Sequence, residues 1–248
     1  MGIWDGIGYM AGATISAVSD IKNGREAIER YKTGKTAEQK LIIDYFTSGL
    51  AGCFSGGKIF SGMKMTDYEQ KVSKRLGALN LNKRAIEQIG LDESEINEIS
   101  PIALGGYVWD DFNERDLDDV VLVRTENNHA VSSRFSVTWI FFSQTQMYCY
   151  EYIFDMISDR IWERTMDFFY QDITCFILNK NLVQRVTDKG SKGCLSNKSN
   201  RESSSYYVDR LEIVVPGGSY SFSMRNNAKL AESLHAAKAM VRERKYMH

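Results

Sequence analysis

Residues 134–177, RFSVTWIFFSQTQMYCYEYIFDMISDRIWERTMDFFYQDITCFI, contain two long stretches with aromatic and β-branched side chains at alternate positions. That period of two belongs to extended strands and not to helices. Phe135, Val137, Trp139 and Phe141 alternate with Ser136, Thr138, Ile140 and Phe142. After a polar turn at Ser143–Gln146, the residues Tyr148, Tyr150, Tyr152 and Phe154 alternate with Met147, Cys149, Glu151 and Ile153. The pattern predicts a long antiparallel hairpin. Because the first strand is apolar on both sides, both faces of its sheet must be covered. A connector at 157–166 and a third strand over Phe168–Leu178 are expected to follow.

The flanking segments extend this pattern. An acidic connector within 105–124 leads to an expected strand at Val120–Arg124. Further strands are expected at Tyr206–Val215 and Tyr220–Arg225, joined by the turn Pro216-Gly217-Gly218. A helix then begins near Asn227, with Leu230, Leu234, Ala237 and Val241 on one face. Lys238, Arg242, Arg244 and Lys245 crowd its last turns, where cations complement the helix dipole. Between the strands, TDKGSKGCLSNKSNRESSS at 187–205 has the composition of a surface loop.

The first hundred residues read differently. Residues 2–63 are rich in Gly and Ala and predict helices over roughly 6–33 and 36–54, the second capped by Thr36, with Leu41, Tyr45 and Leu50 near one face. Short helices follow over 66–100. Thr66 starts one with Tyr68, Val72 and Leu76 as its apolar stripe, Asn82 caps the next, and Gly90 ends it. Asp92 and Glu95 have the spacing of a capping box ahead of Pro101. Helix, glycine turn, helix invites a DNA-binding reading, but Glu93, Glu95 and Glu98 would repel phosphates. The expected organisation is a small-residue-rich helical region at 1–64, short helices at 65–104 and a β domain at 105–248.

A run of antiparallel strands closed by one amphipathic helix resembles bacterial pleckstrin-homology-like (PH/GRAM-type) domains. The residues that carry the resemblance are the hairpin Val137–Phe154, the strand YQDITCFIL with its aspartate–isoleucine pair after an aromatic, the strands around Pro216-Gly217-Gly218, and the helix Ala228–Arg244. The resemblance implies an α+β chain whose C-terminal half is a seven-stranded, two-sheet barrel-like sandwich capped by a helix. It also implies a scaffold that binds lipids, peptides or partner proteins.

Composition narrows the chemistry. A formal net charge of -1 exerts no general pull on nucleic acid, so none is expected as a partner. Cys53, Cys149, Cys175 and Cys194 contain no CxxC pair, and His129, His235 and His248 stand apart, so neither a metal nor a disulfide framework is expected. The N-terminus lacks a signal-peptide pattern and no apolar run approaches membrane-spanning length, which reads as a cytoplasmic chain.

Gly52-Cys53-Phe54-Ser55-Gly56-Gly57-Lys58 satisfies G-x4-G-K. Ile59, however, stands where a P-loop places its magnesium-binding hydroxyl, and the preceding segment reads as helix. The acids Asp110, Asp111, Glu114, Asp116, Asp118 and Asp119 lack EF-hand spacing, and Asp155 and Asp172 have no defined partner for acid–base work. Two surfaces remain for recognition: the cations Lys189, Lys192, Lys198 and Arg201, suited to anionic lipid, and the aromatics Trp139, Tyr148, Tyr150 and Tyr152, suited to a protein interface. The expected function is a non-enzymatic interaction module that uses no cofactor and binds a protein partner or its own copies. The alternatives are a peripheral membrane protein that binds anionic lipid and a nucleotide-binding enzyme with a degenerate P-loop at 52–58.

Overall fold

A computed structural model describes residues 26, 28–48, 62–90, 100–109, 121–126, 129–189, 200–225 and 227–245. Helix α1 (Ala37–Thr47) begins at the expected cap Thr36, which forms a capping box with Gln39: Gln39 N donates to Thr36 Oγ1 at 3.2 Å, and Thr36 N donates to Gln39 Oε1 at 2.9 Å. Its buried apolar side chains are Ile42, Ile43, Tyr45 and Phe46, whereas Leu41, expected beside Tyr45, faces solvent. The helix ends at Thr47, before the expected residue 54, because Ser48 is already extended.

Helix α2 (Met65–Ala78) buries Tyr68 and Val72, with Leu76 half-buried beside them. Helix α3 (Leu81–Ile89) follows after Asn80, not Asn82, and Asn80 takes up a left-handed conformation (φ 41°) to make the tight corner. Gly90 ends α3 as expected, with φ 73° and its N–H donated to Ile86 O at 3.0 Å. The capping-box positions Asp92 and Glu95 lie outside the described residues.

Nine strands follow among the described residues. They are β1 (Ile102–Tyr107), β2 (Val123–Glu126), β3 (His129–Ser132), β4 (Arg134–Phe142), β5 (Gln146–Asp155), β6 (Ile161–Phe169), β7 (Cys175–Lys189), β8 (Asn200–Val215) and β9 (Gly218–Met224). A 3-10 turn at Tyr170–Asp172 separates β6 from β7, and helix α4 (Ala228–Lys245) closes the chain. The strands form a four-stranded sheet in the order β1-β4-β5-β6, a β2-β3 ribbon, and a three-stranded sheet β7-β8-β9. All of the pairings are antiparallel. The molecule is thus α+β, with antiparallel sheets and a C-terminal helix.

The β4–β5 hairpin lies between two apolar cores, which accounts for its double-sided hydrophobicity. On one face Phe135, Phe141, Tyr150, Tyr152 and Phe154 pack with Tyr45, Tyr68 and Ala85 of the helices. On the other, Ile140, Phe142, Met147 and Cys149 pack with Phe176, Leu211, Ile213 and Phe222 of the second sheet and with Leu234, Ala237 and Val241 of α4. Helix α4 is fixed at its start by the Asn227 side chain, which accepts from Leu230 N at 2.9 Å. At its end Arg244 and Lys245 donate to Ser143 O and Ile173 O.

Three expectations about the strands need correction. The segment 161–166, expected within a connector, belongs to β6, and the strand expected over 168–178 is broken by the 3-10 turn. Tyr170 forces that bend: its hydroxyl donates to Ser143 O at 2.8 Å and its N–H to Thr145 O at 3.3 Å, folding the chain back over the hairpin turn. The segment 187–205 is not one loop, since β7 runs to Lys189 and β8 starts at Asn200, paired residue for residue from Lys189↔Asn200. In addition, β1 starts at Ile102, before the boundary expected at 105, and pairs with β4 along its whole length.

The two larger sheets meet at one corner. Arg225 N donates to Gly105 O at 2.8 Å, carrying the end of β9 onto β1. A Cβ at Gly106 would lie 2.6 Å from Met224 N and 2.8 Å from Ser223 C, so only glycine admits this approach. Gly106→Ala is expected to destabilise the fold by about 1–3 kcal/mol, the usual cost of overpacking. Urea denaturation measures this cost, and hydrogen exchange should show the loss concentrated at the β9 end.

Candidate functional site

Of the aromatics that mark a recognition face in the sequence, two are buried by the chain's own helices. Tyr150 and Tyr152 have relative exposures of 0% and 3%, and Trp139 and Tyr148 are half-buried against the same core. Arg84 of α3 holds the helix down: Nε and Nη2 donate to Glu163 of β6 at 2.9 and 2.6 Å, and the guanidinium lies 5.4 Å from the Tyr152 ring centroid. Tyr150 Oη donates to the same carboxylate at 2.6 Å, and the hydrogen bond from Arg84 holds Glu163 below the usual carboxylate range. Tyr150 and Tyr152 are therefore not a surface for a partner but the floor beneath α3. Beside this latch is an open polar depression of about 310 Å³ lined by Leu79, Asn80, Lys83, Arg84, Glu87 and Gln88.

The opposite face of the first sheet buries charge. Arg134 and Asp155, register partners at the end of the hairpin, are 0% and 1% exposed, with Arg134 Nε 3.5 Å from Asp155 Oδ2. Asp155 Oδ1 accepts from Ile157 N at 3.0 Å, and the Arg134 guanidinium stacks 4.6 Å from the Trp162 ring centroid. Further along the hairpin, Glu151 accepts from Ser136 Oγ and from Arg164 Nε, each at 2.8 Å. These contacts use the charged groups to join strands β4, β5 and β6. Asp172 does not approach Asp155 to form an acid–base pair; it is exposed in the 3-10 turn.

The remaining sequence candidates are scattered. Lys189 ends β7 and Arg201 lies near the start of β8, so strand pairing brings their backbones together. Lys192 and Lys198 lie outside the described residues, as do the glycine-rich segment 52–58 and the acids Asp110–Asp119. His129 and His235 are both exposed on separate elements, Cys149 is buried and Cys175 exposed. Among the described residues no cluster of three His, Cys, Asp or Glu side chains could hold a metal ion, and no helix is long and apolar enough to cross a membrane.

Among the described residues the most exposed large apolar side chain, Tyr207, lies just beyond the segment 187–205 that the sequence suggests as a loop. Strand β9 pairs with β8 only over Asp209–Val215, so the preceding part of β8 runs with β7 as a two-stranded ribbon. On one face of this ribbon Leu182 and Tyr207 are cross-strand partners, 49% and 62% exposed. The Lys180 ammonium lies 4.7 Å over the Tyr207 ring. The other face is anchored by buried Tyr206 and Val208, with the Tyr206 ring 4.9 Å from that of Trp109. The signal available in the sequence was the alternation of YYVDRLEIVV, which puts Tyr206 and Val208 on one side and Tyr207 on the other.

No protein-family model matches the chain, and no curated protein or solved structure is similar to it.

Removing one member of the buried ion pair should be costly. Arg134→Met is expected to lose about 3–5 kcal/mol in urea denaturation, and Arg134→Met with Asp155→Asn less than the sum of the single changes. Burial pushes the Asp155 carboxyl above its ordinary 3.8, against the opposing pull of Ile157 N and Arg134. With the folded value above the unfolded one, the contribution of Asp155 is fully present below the unfolded pKa and is lost as pH rises through the folded pKa. The stability advantage of the parent over Asp155→Asn should therefore shrink with rising pH across that window, and urea midpoints measured across the acid range check the sign.

Proposed function

We propose that this chain is a non-enzymatic interaction module on a PH-like scaffold, and that the outer face of the β7–β8 ribbon is where it meets a protein partner or its own copy. A four-stranded antiparallel sheet, a three-stranded antiparallel sheet and a C-terminal helix packed against both, in that chain order, support the scaffold reading. The observation that carries the function is the exposed cross-strand pair Leu182 and Tyr207. Fully covering a leucine-sized side chain gains about 1.5–3 kcal/mol, and half-exposed Leu182 stands to gain about half of that. Tyrosine is also among the residues that dominate measured binding energies at interfaces. The ribbon that presents this pair is anchored on its other face by buried Tyr206 and Val208.

Anionic lipid is the competing ligand class, through the cations Lys189, Lys192, Lys198 and Arg201. A photo-crosslinking amino acid at position 207, introduced in cells that make the protein, separates the two. The expected result is a covalent protein adduct that is lost when Leu182→Asp is added and is absent when the same group is placed at exposed Lys229 of α4. Lipid adducts alone, or no adduct, would overturn the reading.

A further inference from the structure

Among the described residues nothing pairs with the outer edge of β7, a strand of 15 residues. Such an edge presents a row of unpaired amides and carbonyls about 50 Å long at the usual rise per residue. Proteins commonly guard an exposed edge with lysine, but Lys180 does not serve that purpose here. Its ammonium lies across the ribbon over the Tyr207 ring on β8, not outward over the edge.

Leu182 is the eighth of these 15 residues, seven positions from Cys175 and seven from Lys189. An antiparallel strand paired with a copy of itself has a twofold axis, and the register that pairs the whole of β7 places that axis at Leu182. In this register the half-exposed Leu182 faces its own copy, and Tyr207 flanks it on the adjoining strand of each subunit. The charged positions fit as well: Lys180 falls opposite Gln184, Arg185 opposite Asn179, Asp188 opposite Phe176 and Lys189 opposite Cys175. No like charges meet, although directly opposed like charges are what usually disfavours such a pairing.

We propose that the partner at this surface is a second copy of the chain, joined by antiparallel pairing of the two β7 edges about an axis at Leu182. The two three-stranded sheets become one continuous six-stranded sheet, and Leu182 and Tyr207 of each copy form an apolar cluster on one of its faces. The inference rests on the reading of the ribbon as an interaction surface and commits that surface to one occupant.

Two measurements on the full chain test it. Sedimentation equilibrium should show a reversible dimer, and Leu182→Glu should weaken it by about tenfold or more, with an unchanged far-ultraviolet circular dichroism spectrum as the control for folding. In a background where Cys53, Cys175 and Cys194 are serine, Leu182→Cys should oxidise to a covalent dimer, because a residue on the axis has its Cβ roughly 4.5–5.5 Å from its mate, close to disulfide reach. Lys180→Cys, which faces Gln184, should cross-link far less. A dimer that fails to cross-link at 182, or that cross-links better at 180, overturns this geometry. A chain that stays monomeric at the highest attainable concentration overturns the second-copy assignment, and the adduct at position 207 then decides separately whether another protein uses the ribbon.

Discussion

The fold depends on a knot of hydrogen bonds around Ser132, Ser133 and Arg134, three consecutive residues with no exposed surface. Ser132 O accepts from Tyr68 of α2 at 2.6 Å, while Ser132 Oγ lies within hydrogen-bonding distance of Val108 O and Arg134 O. Ser133 exchanges bonds with Leu122 through N and Oγ, and its carbonyl accepts from Met156 N at 2.8 Å. Arg134 reaches Asp155, whose own carbonyl accepts from Arg75 of α2 at 2.8 Å. The end of β1, the entry to β2, the β3–β4 junction, the end of β5 and helix α2 all meet here. Polar groups this deeply buried must be paired or they cost the full penalty of desolvation, so the knot specifies one arrangement of six elements where apolar packing would tolerate several.

Around the knot, aromatic rings provide the apolar contact. Tyr45 of α1, Tyr68 of α2 and Tyr107 of β1 stack in a column with centroids 5.5 and 6.2 Å apart and planes within 20°. Arg124 lies over the Tyr45 end at 4.5 Å and Arg225 over the Tyr107 end at 4.5 Å. Burial pushes all three phenols well above their ordinary range, as expected of rings that serve as apolar body more than as acids. The helices and the sheet thereby share one core. For this reason the boundaries expected at 64 and 104 do not divide independent hydrophobic units.

The features legible in the sequence were those determined by near neighbours. The Thr36 capping box, the Gly90 stop, the β4–β5 hairpin, the turn at Gly217 and the apolar face of α4 each depend on residues within a few positions of one another. Strand β6 is not legible because it is an edge strand on which the polar Glu163, Thr165 and Asp167 share one face and dilute its hydrophobic period. The burial of Tyr150 and Tyr152 was not legible because it depends on Arg84, whose bond to Glu163 spans 79 positions. Only the outer part of the ribbon, within 187–205, reads as loop, because its serine-rich portion lacks apolar side chains. Its strand character comes from pairing with β7, not from its own propensity.

The corner between the sheets and the exposed ribbon have a common cause. Where β9 passes Met224, it leaves β8 and gives its next backbone donor, Arg225 N, to Gly105 of β1. Gly106 permits the crossing by leaving space against Ser223 and Met224. Had β9 continued along β8, it would have run on past Asp209 beside the ribbon's second strand. By turning away to close the corner, β9 leaves β7 and β8 to continue as a pair, with one face packed against Trp109 through Tyr206 and the other carrying Leu182 and Tyr207 into solvent. A two-stranded ribbon on its own is marginal in water. The buried contacts on one face hold this ribbon in place, and an added strand along the outer edge of β7 would complete its pairing.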